Sequence, residues 1–166
     1  MDTSLVTEVS ATEPDWSREQ KRHVWDPPRA LLKSIRDYQS ARSRSLGLAA
    51  KIATLRHRFW SVVTGADIPL NCKIAGGLLI PHPNGIVIHP DAEIGPNCLL
   101  FQQVTIGNAR GGVPRLGGHV DVGAGAKIIG PVTIGNHANI GANAVVTKDV
   151  PTGATAVGIP AKIIQP

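Results

Sequence analysis

The sequence predicts a mainly β protein: a solenoid of about five triangular coils, preceded by a short α-helical segment. Three observations lead to this fold class. Aliphatic residues recur at a spacing of six from residue 68 onward, the residue that follows them is often small and most often glycine, and residues 61–166 contain a single aromatic residue, Phe101. A stretch of that length without aromatic bulk must pack small and β-branched side chains, and a solenoid is built in this way.

The repeat is carried by thirteen aliphatic positions. They are Ile68, Ile74, Ile80, Ile88, Ile94, Leu100, Ile106, Leu116, Val122, Ile128, Ile134, Ile140 and Val146. Three six-residue strands close a coil of roughly 18 residues, and the inward aliphatic residue of each strand stacks on its counterparts in the neighbouring coils. A β-sandwich would instead show a period of two with turns every 8–12 residues. The six-residue spacing therefore favours the solenoid.

The repeat is interrupted twice. The step from Ile80 to Ile88 is eight residues and contains the sequence PHPNG at 81–85, whereas the step from Ile106 to Leu116 is ten residues and contains a glycine-rich insertion at 107–115. Insertions in a solenoid form loops on one face, and that face is often the binding face. We therefore expect the functional residues in these two loops.

The N-terminal part divides into two segments before the β-helix domain of residues 65–166. Residues 1–28 are polar and end in two prolines, so we expect a mobile or loosely docked arm, with Trp16 and Trp25 positioned to pin it to a partner surface. Residues 29–64 show helical spacing of apolar residues, and Gly47 is expected to divide them into two helices.

The second helical stretch carries a continuous apolar stripe. Its residues are Leu48, Ile52, Leu55, Phe59 and Val62, spaced by four, three, four and three. We expect this stripe to cover an end of the β-helix or to form an oligomer contact. A helix lying on a membrane surface over residues 51–60 is the alternative, because this segment is basic and ends in aromatic residues.

Composition excludes several classes of function. The formal net charge of +5 suits an anionic cofactor or a solvated helical face, and no Arg/Lys cluster is interleaved with aromatic residues as nucleic-acid binding would require. Cys72 and Cys98 make neither a disulfide framework nor a metal-ligand spacing, which predicts no metal and a reducing, cytoplasmic compartment. The N-terminus lacks the apolar core of a signal peptide, and no run of 18 apolar residues predicts a membrane span.

At this point several motifs resemble a known family. Residues 51–164 resemble the serine O-acetyltransferases of the hexapeptide-repeat acyltransferase superfamily. The matching stretches read ADI at 66–68, HPNGIVI at 82–88, QVTIG at 103–107, VGAGAKIIG at 122–130, GANAVVTKDVP at 141–151 and VGIPAKII at 157–164. The segment 51–164 covers more than two thirds of the chain, and its motifs are more specific for the fold than for the acetyl acceptor.

The resemblance implies a left-handed parallel β-helix that transfers acetyl from acetyl-CoA to the hydroxyl of L-serine, a step of cysteine biosynthesis. It also implies a homotrimer with active sites between neighbouring subunits, in which His82 is the general base and Asp67 its partner. The chemistry justifies this pair, because an alcohol hydroxyl holds its proton too tightly to attack without a base, and a carboxylate holds the imidazole in the right tautomer. A turn histidine and a capping aspartate are the structural alternatives.

Six residues are candidates for the acetyl-CoA site: the resemblance implies two alanines, and loop position or positive charge suggests the others. They are Gly107, Asn108, Ala124, Ala142, Lys148 and Lys162. Backbone N–H groups near the first of these would stabilise the oxyanion, the two alanines would border the pantetheine groove, and the two lysines would meet the CoA phosphates. Corner packing of the alanines and solvation of the lysines are the alternatives.

The remaining histidines of the repeat, His89, His119 and His137, are interpreted as corner residues. His119 is kept as a secondary candidate because it follows the second loop.

The sequence departs from the family where the acceptor is read. Pro81 stands where serine acetyltransferases carry an aspartate, Gly112 and Val113 stand where they carry an Arg-His pair, and the second loop is shorter. Loss of such polar groups changes specificity more than loss of a methylene would. A sugar hydroxyl in polysaccharide biosynthesis is therefore a second candidate acceptor.

A non-catalytic docking module is a third candidate function. The C-terminal sequence IIQP lacks the long tail ending in isoleucine that docking of a partner enzyme would use, which argues against it. The short helical segment favours a trimer over a dimer of trimers.

Overall fold

The computed structural model of the protein describes residues 9–164. A short 3-10 turn at Trp16–Glu19 is followed by two helices, α1 (Pro27–Ser43) and α2 (Gly47–Thr64), and then by strands of two or three residues. The strands are β1 (Lys73–Ile74), β2 (Val87–Ile88), β3 (Glu93–Ile94), β4 (Leu99–Leu100), β5 (Thr105–Gly107), β6 (Arg115–Leu116), β7 (Asp121–Val122), β8 (Lys127–Ile129), β9 (Thr133–Ile134), β10 (Asn139–Ile140), β11 (Val145–Val146), β12 (Thr155–Val157) and β13 (Lys162–Ile164).

The strands form the three faces of a parallel β-helix. Face 1 contains β2, β5, β8 and β11, face 2 contains β1, β3, β6 and β9, and face 3 contains β4, β7, β10 and β12 with the antiparallel β13 at its edge. Neighbouring strands on a face come from consecutive coils, as Ile88, Ile106 and Ile128 show in their register. Single bridges at Asp67 and Val150 extend two of the faces. The predicted β-helix of about five coils is confirmed.

The thirteen repeat positions point inward, and all of them are buried. They form one continuous hydrophobic core with the small residues of the corners, such as Ala126 and Ala138. Burying one such aliphatic side chain is worth about 1.5–3 kcal/mol. Close stacking of the coils also demands glycine at some corners: a Cβ at Gly95 would lie 2.4 Å from the backbone of Gly117.

Three rows of corners connect the faces. Each row stacks the corners of consecutive coils, and the three rows contain different loops and residues. The His82 corner joins face 3 to face 1 and stacks residues 81–85, 102–103, 124–125 and 142–143. Backbone hydrogen bonds run along this stack, from Gln103 N to Asn84 O (2.9 Å) and from Asn143 N to Ala124 O (2.8 Å). The long-loop corner joins face 1 to face 2 and contains the insertion at 107–115. The two interruptions of the repeat therefore lie on different corners of one subunit.

The third row, the arm corner, joins face 2 to face 3 and receives the N-terminal arm. The side chain of Asn97 is buried there; its Nδ2 donates to the carbonyls of Ser10 (2.7 Å) and Glu13 (2.8 Å), and its Oδ1 accepts from Asp15 N (2.8 Å). Part-buried hydrogen bonds therefore dock the arm on the β-helix, and the mobility of the arm stays a prediction. Residues 1–8 of the predicted arm lie outside the described residues.

The tryptophans of the arm contact this chain itself. Trp16 lies against Gly76, where a Cβ would come within 2.7 Å of its ring, and the Arg36 guanidinium lies 5.3 Å from the ring centre. Trp25 packs edge-on against Trp60 of α2 with ring centres 5.6 Å apart. Both side chains remain more than half exposed.

Helix α1 begins at Pro27, two residues before the predicted start. Asp26 caps it by accepting a hydrogen bond from Arg29 N (3.4 Å), and proline suits the first turn because its missing N–H would have no partner there. Burial alone would raise the pKa of Asp26, but hydrogen bonds from Arg22 N and Arg29 N and the Arg29 charge together lower it. The capping aspartate thus stays ionised, in contact with the arm.

The two helices use their apolar faces differently. Leu31, Leu32 and Ile35 of α1 belong to the core at the first coil, so α1 covers this end of the β-helix. The stripe on α2, from Leu48 to Val62, is exposed to solvent. The expectation that this stripe covers the β-helix end is wrong, because α1 already occupies that position. None of the described helices is long and apolar enough to cross a membrane.

Candidate functional site

His82 lies on the loop at 81–85, where its side chain is exposed at the His82 corner. Backbone hydrogen bonds attach this loop to the turn that starts the β-helix, from Gly85 N to Gly65 O (2.8 Å) and from Asp67 N to Ile86 O (2.8 Å). The segments that carry His82 and Asp67 are therefore neighbours, although 15 residues separate the two in the sequence.

The predicted pair is not joined in this structure. Among the described residues, no hydrogen bond or ion pair links the side chains of His82 and Asp67, and both side chains are exposed. The negative charge of Asp67 instead favours the protonated forms of His57 and Cys72. It opposes the lowering of the His57 pKa and adds to the raised pKa of Cys72. The assignment of Asp67 as partner of His82 stays a prediction.

His57 on α2 is a neighbour of Asp67 that the sequence interpretation missed. Its Nδ1 lies 3.2 Å from the hydroxyl of buried Ser34 and its Nε2 lies 3.4 Å from Ser61. Burial lowers the pKa of His57, while the Asp67 charge and the Ile68 backbone partly oppose this. His57 lies on the face of α2 opposite the stripe, where a polar residue is expected on a solvent-facing surface, so the sequence carried no signal for it.

A cleft of about 380 Å³ opens beside Pro81, the residue before His82. The first coil forms one wall with Leu78, Leu79, Ile80 and Pro81. The arm and the start of α1 form the other wall, with Arg22, His23, Trp25, Asp26, Pro27, Pro28, Arg29 and Leu32. The cleft thus combines an aromatic side chain with basic groups next to the candidate base.

Gln102 is a second residue that the sequence interpretation missed. It lies in the His82 corner one coil further on, and its side-chain oxygen is buried without a hydrogen-bond partner within residues 9–164. A buried acceptor without a partner calls for an explanation such as a water or a ligand. The signal was present in the sequence, because the later coils carry alanine at this corner position, Ala124 and Ala142.

The six residues predicted for acetyl-CoA fall in three places. Ala124 and Ala142 stack in the His82 corner, in line with the loop that carries His82. Lys148 and Lys162 line one cleft of about 290 Å³ at the C-terminal end of the solenoid. Gly107 ends β5 and exposed Asn108 begins the long loop, on a different corner from His82. The structure therefore does not gather the six residues into one pocket within a single subunit.

The other candidate side chains lie away from His82. His119 and His137 stack in consecutive coils at the arm corner with their Nδ1 atoms 2.8 Å apart, so one nitrogen donates to the other. His89 is half-buried near Asp91.

Both cysteines are free and buried. Burial raises the pKa of Cys72 to about 12 and that of Cys98 to about 11, which makes neither a nucleophile. Within residues 9–164 no three His, Cys, Asp or Glu side chains gather as a metal site would require.

Known proteins share this fold and these motifs. Residues 114–148 match the family model described as bacterial transferase hexapeptide (six repeats). The serine acetyltransferase of Mycobacterium tuberculosis (strain ATCC 25618 / H37Rv) is 40% identical over 120 residues, covering 70% of this chain and 52% of that protein. The serine acetyltransferase of Helicobacter pylori (strain J99 / ATCC 700824) is 46% identical over 106 residues, covering 61% of this chain and 62% of that protein.

Solved structures agree with these relatives. A serine acetyltransferase in complex with CoA superposes with a TM-score of 0.72 at 32% identity, covering 84% of this chain and 57% of that one. Soybean serine acetyltransferase complexed with serine superposes with a TM-score of 0.72 at 33% identity, covering 83% of this chain and 57% of that one. The chain therefore spans less than two thirds of each of these proteins.

Proposed function

Since the chain belongs to the serine acetyltransferase-like hexapeptide-repeat proteins, we propose that it is an acetyl-CoA-dependent O-acetyltransferase with His82 as its general base. The observation that carries the proposal is the place of His82. It lies exposed on a loop that interrupts the repeat, within the sequence HPNGIVI, beside an open cleft and in line with Ala124 and Ala142. The CoA and serine complexes of similar structures support the donor and the acceptor class.

The proposed reaction is a direct transfer. The imidazole of His82 removes the proton of the acceptor hydroxyl while its oxygen attacks the thioester carbonyl. The tetrahedral intermediate then collapses, the C–S bond breaks, and the thiolate of CoA leaves and takes up the proton. Asp67, rotated toward His82, would stabilise the imidazolium, and backbone N–H groups near Gly107 and Asn108 would stabilise the oxyanion.

The proposed enzyme is a homotrimer with its sites between subunits. The separation of the His82 corner from the long-loop corner supports this, because one subunit alone cannot bring Gly107 and Asn108 to His82. Lys148 and Lys162, which share a cleft, would bind the CoA phosphates. Two free, buried cysteines fit a reducing compartment, so we place the enzyme in the cytoplasm.

L-serine is the first candidate acceptor, and a sugar hydroxyl is the second. The second is favoured by the residues around the site: Pro81 and Val113 replace groups expected to read an amino acid, and the cleft beside Pro81 offers Trp25 and Arg22. An aromatic ring suits the apolar face of a sugar, and arginine suits an anionic substituent.

Release of CoA thiol tests the mechanism. We expect His82→Ala to lower the turnover of the preferred acceptor by about 10²- to 10⁴-fold, which is the range of general-base catalysis. His89→Ala is the matched control, since this histidine also precedes a proline in a corner, and it should retain near-wild-type turnover. Equal losses in both variants, or none in His82→Ala, would refute the role of His82.

An acceptor panel of L-serine, homoserine and neutral and acidic sugars separates the candidates. Turnover restricted to L-serine would confirm the first, and turnover restricted to sugars would confirm the second. If no acceptor in the panel gives thiol release and calorimetry shows no binding of CoA, the result would indicate the non-catalytic docking module.

Subunit complementation tests the shared site. His82→Ala and a variant with residues 108–112 deleted are each expected to be inactive. Mixed trimers of the two should regain a fraction of wild-type turnover, because some interfaces then combine an intact His82 with an intact loop. Mixed trimers as inactive as their parents would show that each site lies within one subunit.

A further inference from the structure

Helix α2 buries small residues and exposes the apolar stripe, while Trp60 at its C-terminal end is partly buried against the core. Its buried residues are Ala50, Ala53 and Thr64. The five side chains of the stripe, Leu48, Ile52, Leu55, Phe59 and Val62, are between 50% and 83% exposed. This reverses the usual pattern of an amphipathic helix on a protein surface, whose apolar face turns toward the core. A contiguous exposed apolar surface of this kind marks an interaction site.

The stripe continues into an aromatic cluster at the C-terminal end of α2. Phe59 packs against Trp60 with ring centres 4.9 Å apart, and Trp60 contacts Trp25 of the arm. Val24 beside it is fully exposed, and Lys21 Nζ lies 5.7 Å from the Trp60 ring centre. The surface therefore extends from aliphatic residues to tryptophans accompanied by basic residues.

Basic residues predominate around the stripe; Asp37, which lines a cleft with Ile52, is paired with Lys33 and Arg56. Helix α2 contains no Asp or Glu; at helical spacing, Lys51 and Arg58 flank the stripe on one side and Arg56 flanks it on the other. Residues 16–64 contain eleven Lys and Arg against three Asp and Glu, whereas residues 65–166 are nearly balanced with six against five. All three acids, Glu19, Asp26 and Asp37, already form ion pairs. We therefore expect the partner of this surface to offer apolar groups to the stripe and negative charge to the basic residues beside it.

We propose that the α2 stripe, with Trp25, Lys51 and Arg58, binds the surface of an anionic lipid bilayer, with α2 lying in the membrane plane. An apolar face flanked by basic residues, with tryptophan at one end, has the chemistry of the interfacial zone of such a membrane. A second copy of this chain fits less well, because stripe-to-stripe packing would bring Lys51 and Arg58 of one copy against the basic flanks of the other. Trp25 also lines the cleft beside Pro81, whereas the stripe, Lys51 and Arg58 lie outside the lining of that cleft.

Vesicle co-sedimentation of the full chain tests the proposal. The protein should bind vesicles of phosphatidylcholine with about 30% phosphatidylglycerol and bind pure phosphatidylcholine vesicles at least tenfold more weakly, since each basic residue near an anionic surface adds to the affinity. The double variant Lys51→Glu/Arg58→Glu should lose this preference. Leu55→Ser/Phe59→Ser should lower binding to the anionic vesicles about tenfold or more, through loss of buried apolar area.

Matched controls lie on the β-helix. Arg115→Glu reverses an exposed charge on face 2, and Ile159→Ser removes an exposed apolar side chain. Both should bind like the wild type, and all four variants should keep the wild-type unfolding temperature because they replace exposed residues. Equal binding to neutral and anionic vesicles, or equal loss in Arg115→Glu, would overturn the proposal.

Light scattering in the absence of lipid separates the membrane from a second copy. The proposal expects Leu55→Ser/Phe59→Ser to keep the wild-type molar mass. A lower mass would show that the stripe is a contact between subunits and would overturn it.

Discussion

Helices α1 and α2 are neighbours of 17 and 18 residues, and they use the same kind of periodicity for opposite purposes. Helix α1 turns Leu31 and Ile35 into the core, whereas α2 turns Ile52 and Leu55 into solvent. Apolar spacing identifies which face of a helix is apolar, but it does not identify what that face contacts. The difference divides the N-terminal part into a helix that completes the β-helix and a helix that is free to bind a partner.

The largest expected difference between the helices is the loss of stability when an apolar side chain is truncated to alanine. Ile35→Ala should lower the free energy of unfolding by about 3 kcal/mol, because it leaves a cavity at a fully buried position. The matched change Ile52→Ala, at a half-exposed position, should cost less than about 0.5 kcal/mol. Urea unfolding measures both, and equal losses would show that α2 packs as firmly as α1.

A smaller difference is expected for two arginines. Arg36 of α1 donates to the carbonyls of Ile74 (2.6 Å) and Ala75 (2.8 Å) and pairs with Glu19 (2.8 Å), which is largely buried. Arg36→Ala should cost about 2 kcal/mol or more, because it leaves a buried carboxylate unpaired. Arg56→Ala on α2 removes only a partly exposed pair with Asp37 and should cost less than about 1 kcal/mol. Thermal and urea unfolding measure the loss of stability in both variants. A larger loss in Arg56→Ala than in Arg36→Ala would contradict the prediction.

The arm contributes to the attachment of α1, and Asn97→Gly measures how much. Glycine keeps the left-handed backbone at this position (φ +60°) but removes three hydrogen bonds to residues 10–15. We expect a loss of about 1–2 kcal/mol. Limited proteolysis should show faster cleavage within residues 9–20. Asn143→Gly, at an exposed corner with φ +56°, is the control and should leave the arm protected.

The smallest expected effect is the change in the free energy of unfolding with pH. Burial between the helices lowers the folded-state pKa of His57 below its usual 6.5, so below pH 6.5 the unfolded chain binds more protons than the folded one. Stability should therefore be fully present above pH 6.5 and fall as the pH drops toward the folded-state pKa. The free energy of unfolding should decrease from pH 7.5 to 5.5, and His57→Gln should reduce that decrease. An unchanged slope in the variant would exclude His57 as its source.

Much of the fold could be predicted from the sequence, and less of the site. The inward position of Ile106 or Ile128 follows from spacing alone, because a six-residue repeat closes in one way and a wrong register would bury polar residues. His82 was found because its loop interrupts that spacing. The contacts of His57, the buried oxygen of Gln102 and the docking of Asn97 on the arm could not be predicted, because each joins residues of different coils or segments.

By itself the sequence determined the β-helix, its five coils and the two loops, since these depend on local repetition of aliphatic and small residues. Only the tertiary structure decided that α1 rather than α2 covers the first coil, that residues 9–26 are docked, and that the two loops lie on different corners. Those outcomes depend on competition among several apolar and polar surfaces for the same place. Such competition is settled by packing and buried hydrogen bonds, which no pattern along the chain records.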